Sequence, residues 1–295
     1  MSILTIGAPA KINLHLRVKN KRPDGFHELE SIFFALDFGD TLYFEPCFPD
    51  GELKIEINAP PGVCEAGGDI DKALPVSQNI IFKAVCLYRE RTGFQKGLKI
   101  RLEKRIPLGG GLGGGSSDAA STLLALNTLA AQASVPGFKP LEAGSLDELG
   151  AFLGSDVPFF LKECRAAWIS GRGERIQALT IPARLWIVLV KPGFSSDTGE
   201  AYRMLDQFRD AHGTDREWPY TNDFLPVFLH DKRVSAIYQE ILADLKAQGS
   251  GFSGLSGAGS SCFGVFTQEK IAVQAYENLK SKWNFVILTF PRGQS

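Results

Sequence analysis

Apolar and polar residues alternate through AKINLHLRV, with Ile12, Leu14, Leu16 and Val18 in one register and Lys11, Asn13, His15 and Arg17 in the other. A period of two is that of a half-buried strand, and it predicts that the four polar side chains lie on the solvent face. A Pro-Asp-Gly turn at 23–25 breaks the pattern. Further strands are expected over 31–36 and 41–45, and LKIEIN at 53–58 alternates again. The period then changes. NIIFKAVCLYRERTG, 79–93, spaces its apolar residues as a helix does and closes on basic residues and a glycine, as a helix C-terminus should. LKIRLEKRI returns to strand periodicity from residue 98 and delivers the chain to Pro107 and a glycine-rich stretch, after which an Ala- and Leu-rich helix is expected over 117–131.

Beyond it, 146–153 reads as a helix, AAWISGRGERIQAL as a hairpin turning at 171–173, and RLWIVLVKPG as an apolar strand ending in a Pro-Gly break. The second half adds helices around 198–208, 235–248 and 269–282, a small-residue loop at 250–261, a strand through Phe266 and a final strand. We divide the chain into two lobes, 1–178 and 179–295, and expect a long surface loop at 59–76.

Composition narrows the chemistry. The chain has 295 residues, enough for two cores, and its 44% hydrophobic content is that of a soluble globular protein. A formal net charge of −1 gives no general attraction to nucleic acid or anionic membrane, so an anionic ligand has to be held by local geometry and a small molecule is the expected partner. Five cysteines (Cys47, Cys64, Cys86, Cys164, Cys262) include no C-x-x-C pair and the four histidines are scattered, which indicates neither a disulfide framework nor a structural zinc site. No apolar run is long enough to span a bilayer and the N-terminus has no export-type apolar core, so a cytoplasmic protein is expected.

The stretch IPLGGGLGGGSSDAAS, 106–121, places six glycines in the seven positions 109–115. Successive backbone N–H groups converge on an anion only where φ/ψ is unrestricted and no Cβ blocks approach, and the helix that follows adds free amides and its dipole. A strand-to-helix loop of this kind suits a triphosphate. The plainer alternatives are a hinge or packing turn, with Ser116 and Ser117 acting as helix caps. A Walker loop is excluded because Ser116, not lysine, follows Gly115. Gly109, Gly111 and Gly114 satisfy G-x-G-x-x-G, yet the preceding strand is amphipathic and no acidic residue ends a following buried strand.

With PAKINL at 9–14 and GLSGAGSSCFGVF at 254–266, the glycine stretch resembles the three motifs of the GHMP small-molecule kinases, the family of galactokinase, homoserine kinase and mevalonate kinase. RPDGFHELES at 22–31, the expanded G-L-G-G-G-S-S loop and GSDVPFFL at 154–161 resemble, within it, the branch that acts on a cytidine diphosphate-linked methylerythritol in the non-mevalonate isoprenoid pathway. The resemblance implies an α+β, two-lobe GHMP kinase fold, with an S5-like N-terminal domain and a ferredoxin-like C-terminal domain. It also implies ATP-dependent phosphorylation of the substrate's 2-hydroxyl, with Mg²⁺ accompanying ATP.

The resemblance assigns ATP binding to Pro107, Leu108, Gly109, Gly110, Gly111, Leu112, Gly113, Gly114, Gly115, Ser116 and Ser117, with Asn79 on the adenine side. Asn79 equally suits a plain helix cap. Asp156, between Gly154 and Pro158, either caps a turn or removes a proton from a substrate hydroxyl, and the resemblance implies the base. By sequence alone Lys11 could be any polar-face lysine of a strand; the resemblance implies that it supplies the cation that the loop lacks, beside Asp156, and that Asn13 contacts the substrate. Phe26 and His27 are implied to hold the cytosine, with Phe26 where the family usually has tyrosine, Tyr202 covering the other face of the base and Thr198 on the substrate side. Asp118 reads as an ordinary first-turn acid favoured by the helix dipole, Ser116 as a contact to Mg²⁺, and 257–261 as a second loop that closes on substrate phosphate or supports the first. Other GHMP kinases, acting on homoserine, mevalonate or a sugar, and a non-catalytic nucleotide- or RNA-binding module are the alternatives. The expected assembly is a monomer or weak homodimer, with no nucleic-acid or membrane partner.

Overall fold

The computed structural model describes residues 2–23, 25–46, 49–64, 70, 74–132, 139–181, 184–212 and 222–293. The chain falls into two compact units interleaved in sequence, Met1–Ala10, Gly39–Ile106 and Gly113–Cys164 in the first, and Lys11–Phe38, Pro107–Leu112 and Arg165–Ser295 in the second. Two long paired strands, β1 (Leu4–Lys21) and β2 (His27–Glu45), contribute to both.

In the first unit the end of β2 pairs antiparallel with β4 (Leu98–Glu103), from Thr41 opposite Glu103 to Glu45 opposite Lys99. Strand β3 (Leu53–Asn58) lies parallel to β4, with Leu53 opposite Leu98. Parallel neighbours need a crossover, and α1 (Ile80–Thr92) lies in it. Asn79 caps α1 by accepting the Ile81 N–H at 2.9 Å, and Gly93 closes it in the left-handed conformation at φ 73°. Helix α2 (Gly114–Gln132) starts three residues earlier than its composition predicts, because the last glycines of the loop form its first turn. Its buried Ala119, Ala120 and Ala125 let it pack closely on α1 and on α4 (Val157–Leu161), while α3 (Ala143–Leu153) packs beside both.

The two short strands expected at 31–36 and 41–45 are one continuous β2. Gly39 accounts for the join: a Cβ there would lie 2.3 Å from the Ala8 carbonyl oxygen, so the break in the pattern marks a close backbone approach, not a turn.

In the second unit the start of β2 pairs with β5 (Ala166–Gly171), which turns back as β6 (Arg175–Ala178), the hairpin the sequence predicts. A separate antiparallel sheet has the order β10 (Phe285–Thr289), β7 (Trp186–Lys191), β9 (Cys262–Phe266), β8 (Phe252–Leu255). Helices α5 (Thr198–His212), α6 (Phe224–His230), α7 (Ser235–Ala247) and α8 (Glu269–Leu279) complete the unit. Its core joins Val188 and Val190 of β7 to Tyr238, Ile241 and Leu245 of α7, and includes Leu16 and Val18 of β1. Periodicity misses α6 and β8, which at seven and four residues are too short to repeat a pattern. Much of the loop expected at 59–76, and Cys47, lie outside the described residues. Among the described residues no helix is long and apolar enough to cross a membrane.

Candidate active site

The glycine loop is gripped from one side. Within the second unit, Ser195 Oγ donates to the Leu108 carbonyl at 3.0 Å, Ser196 N to Gly109 at 3.0 Å, Ser261 N to Gly110 at 3.1 Å and Ser256 Oγ to Gly111 at 2.9 Å. Four consecutive carbonyls are thus turned toward donors, which keeps their negative ends out of an anion site. A Cβ on Gly111, at φ 70°, would meet the Ser256 carbonyl oxygen at 2.2 Å, and one on Gly109, at φ 59°, the Ser195 side chain at 2.6 Å. These glycines serve close approach as much as freedom of φ. Of the two roles open to 257–261, support of the first loop is the one these bonds display.

In the first unit the chain passes from Gly113 directly into α2, and the first bond of that turn runs from Ser117 N to Gly113 O at 2.9 Å. The amides of Gly114, Gly115 and Ser116 precede it and belong to the donors that a helix start leaves for an anion. Ser116 Oγ lies 3.8 Å from where a Cβ on Gly154 would be, which brings the start of α2 beside the turn that carries Asp156. Two buried groups there lack partners among the described residues, Ser117 Oγ and Asn79 Nδ2. The capping role and a buried donor without a partner among the described residues therefore coexist in Asn79, whose Oδ1 holds α1.

Beneath the start of α2 lies a charge cluster that the sequence gives no hint of. Lys104, 2% exposed, donates to Asp40 Oδ2 at 2.5 Å and Asp118 Oδ2 at 2.7 Å. Asp40 also accepts the backbone N–H groups of Arg105 and Ile106, whereas Asp118 Oδ1 has no partner among the described residues. One ammonium cannot neutralise two carboxylates. Burial, reinforced by the nearby Asp40, pushes the Asp118 carboxyl up to about 7 against the pull of Lys104. The two carboxylates in turn raise Lys104 despite its burial. Asp118 is accordingly a buried member of this cluster; because the helix starts at Gly114, it lies past the first turn, and its expected role as a first-turn acid is corrected.

Lys11 and Asn13 depart from the solvent face that strand alternation predicts. Both are buried, at 4% and 2% exposure. Lys11 Nζ donates to Asn13 Oδ1 at 2.7 Å and sits 4.5 Å over the Phe33 ring, while Asn13 Nδ2 donates to Ser31 Oγ at 2.9 Å. Asn13 N donates to Ser256 Oγ at 3.3 Å, tying β1 to the loop that supports the glycines. Burying an ammonium is costly unless it is partnered, and here the Asn13 amide oxygen and the Phe33 ring are among its partners. Asp156 sits at the N-cap of α4 with no side-chain capping hydrogen bond to that helix.

The remaining predicted residues gather on α5 and the start of β2. His27 is buried, with its ring stacked on Tyr202 at 5.1 Å and 24°, and Phe224 meets Tyr202 edge-on at 5.0 Å. Thr198 begins α5 one turn before Tyr202. Phe26, following the turn closed by Gly25 N to Arg22 O, is 50% exposed with the Arg172 guanidinium 4.9 Å over its ring.

Comparison with known proteins gives a consistent picture. The family model for the GHMP kinases N terminal domain matches 79–163, and that for GHMP kinases C terminal matches 223–284. A protein from Thermodesulfovibrio yellowstonii called 4-diphosphocytidyl-2-C-methyl-D-erythritol kinase is 36% identical over 97% of this chain and 98% of its own length. A Burkholderia mallei protein of the same name is 34% identical over 95% of this chain and 91% of its own length. The crystal structure of a 4-(cytidine 5'-diphospho)-2C-methyl-D-erythritol kinase superposes with a TM-score of 0.73 at 32% identity, covering 98% of this chain and 100% of that one. Homoserine kinase from Cytophaga hutchinsonii, at 16% identity and a TM-score of 0.65 over 99% of this chain and 96% of that one, shares the fold.

Proposed function

Because the chain belongs to the 4-diphosphocytidyl-2-C-methyl-D-erythritol kinases of the GHMP kinase family, with their two-lobe α+β fold, we propose that it transfers the γ-phosphoryl group of ATP to the 2-hydroxyl of 4-diphosphocytidyl-2-C-methyl-D-erythritol, yielding the 2-phosphate and ADP. The observation that carries this reading is the near full-length likeness at 36% identity. The geometry supports it: a loop with its carbonyls turned away, a helix start with amides to offer, a buried ammonium and an aromatic-imidazole pair are what a phosphoryl transfer to a nucleotide-linked alcohol requires.

In our assignment the loop 107–117 holds the ATP phosphates and Asn79 Nδ2 reads the adenine. Asp156 takes the proton of the 2-hydroxyl as it attacks the γ-phosphorus, and Lys11 stabilises the negative charge that grows on that oxygen. Asn13 positions Lys11 and the substrate, and Thr198 contacts the substrate. His27, Phe26 and Tyr202 hold the cytosine. Mg²⁺ bound with ATP neutralises phosphate charge, and such an ion keeps phosphate and water ligands and needs only one or two protein oxygens. Among the described residues no three His, Cys, Asp or Glu side chains cluster as ligands. Ser116, at the start of α2, is the protein oxygen we assign to it. We place the boundary of the two family domains at 178/179, in the span between the two family matches. We further infer a cytoplasmic monomer or weak homodimer.

ADP release measured with the cytidyl substrate, mevalonate and homoserine in parallel tests the function. Turnover confined to the cytidyl alcohol is expected; turnover with one of the others alone overturns the substrate assignment, and none with any overturns the kinase.

A further inference from the structure

We propose that Asp206 fixes the hydrogen-bonding polarity of the His27 ring and makes it a selector of cytosine over uracil; this rests on the cytidyl reading above and adds a residue that the reading does not include. Asp206 Oδ1 lies 2.9 Å from His27 Nε2. An ionised carboxylate only accepts hydrogen bonds, so the proton sits on Nε2 and, in the neutral imidazole, Nδ1 is left with a lone pair and no proton. Among the described residues Nδ1 has no partner.

The ring is also packed in place. Tyr202 stacks on its face at 5.1 Å, Phe224 holds Tyr202 edge-on, and the His27 side chain is 8% exposed. Thr198, Tyr202 and Asp206 recur every four residues along α5 and so form one stripe of that helix. The same stripe thus carries the ring that stacks on His27 and the carboxylate that sets its tautomer.

The polar edge of cytosine offers two acceptors, O2 and N3, and one donor, the 4-amino group. An acceptor presented by the protein can meet that edge favourably only at the 4-amino group. Uracil has a carbonyl oxygen there, which would place two lone pairs against each other in a site where His27 is shielded from water. A buried polar group left opposed in this way is strongly disfavoured, which is how a site rejects an analogue of nearly identical shape. Asp206 touches no substrate in this scheme. It acts through His27, as a positioning residue.

The test pairs the cytidine diphosphate-linked substrate with its uridine diphosphate-linked analogue. In the native enzyme kcat/KM is expected to favour cytosine by about a hundredfold or more. Asp206→Asn offers Nε2 a donor and lets the ring carry its proton on Nδ1. Selectivity should then fall at least about tenfold, through KM more than kcat. Asp206→Glu, which keeps an acceptor, should restore it. Nitrogen NMR of the His27 ring at a pH above about 7.5, where a free imidazole is neutral, should report Nε2–H in the native protein and Nδ1–H in Asp206→Asn. An Nδ1–H ring in the native protein, or unchanged selectivity in a folded Asp206→Asn enzyme that turns over the cytidyl substrate, overturns the proposal. Failure of the kinase reading looks different, since the native enzyme would then turn over neither substrate, and the tautomer measurement would still decide the role of Asp206.

Discussion

At the scale of single residues, the assigned chemistry depends on Lys11 and Asp156, and each should fail in its own way. Asp156→Asn keeps the shape of the turn and removes the acceptor of the proton, so kcat should fall by roughly 10² to 10⁴ with ATP affinity retained. Lys11→Ala should cost a similar factor, about 10² to 10³, because the growing charge on the oxygen loses its counter-charge. Single-turnover measurements on variants with native circular dichroism check both, and near-native rates in either would remove that residue from the mechanism. These two residues also mark what a sequence can and cannot convey. Their place in motifs was legible, but their surroundings were not. Alternation put Lys11 and Asn13 in water, whereas both are buried, because Ser31 and Phe33 of β2 and Ser256, 243 residues away from Asn13, close over that stretch of β1. Period-two reasoning sees one strand and not what covers it.

At the scale of elements, α2 joins the glycine loop to a buried cluster of charge. Both Lys104 and Asp40 escape detection in the sequence, since a lysine two residues before a loop and an aspartate inside a strand have no spacing in common and lie 64 positions apart. The helices and strands themselves were largely legible from periodicity, with α1 and its two caps placed to the residue. The titration of Asp118 gives the cluster a measurable signature. Its carboxyl moves from 3.8 to about 7 on folding, so between these values the folded protein binds a proton that the unfolded chain has released. Stability from this group is therefore present at low pH and is lost as pH rises through that interval. Asp118→Asn abolishes the titration. From about pH 5 to about pH 8 the thermal midpoint of the native protein should fall relative to that of the variant. Parallel profiles would show that Asp118 is already ionised. Removing Lys104 instead, as Lys104→Met, should cost about 3–5 kcal/mol by leaving buried carboxylates unpaired.

At the scale of the whole molecule, the interleaving of the two units matters more than their sizes. The second unit draws Leu16 and Val18 from near the start of the chain into the same core as Val286 near its end. The fragment 179–295 lacks those residues and the segment Pro107–Leu112, so although it spans a family domain it should not fold alone. Proton NMR of the isolated fragment should lack dispersed methyl signals, and a cooperative thermal transition in it would contradict this. The family, and hence the fold, was legible from motifs spread across 9–266. The threading of the chain between units was not, because it depends on pairings between strands that no local pattern records.

The hydrogen bond from Asn13 N to Ser256 Oγ has one further consequence, in the order of synthesis. Lys11 leaves the ribosome more than 240 positions ahead of the serine loop that secures its strand. Until Ser256 has emerged the ammonium is an ordinary lysine on a nascent segment whose strand is not yet secured. A shortened product ending before Ser256 should therefore lack the buried surroundings of Lys11.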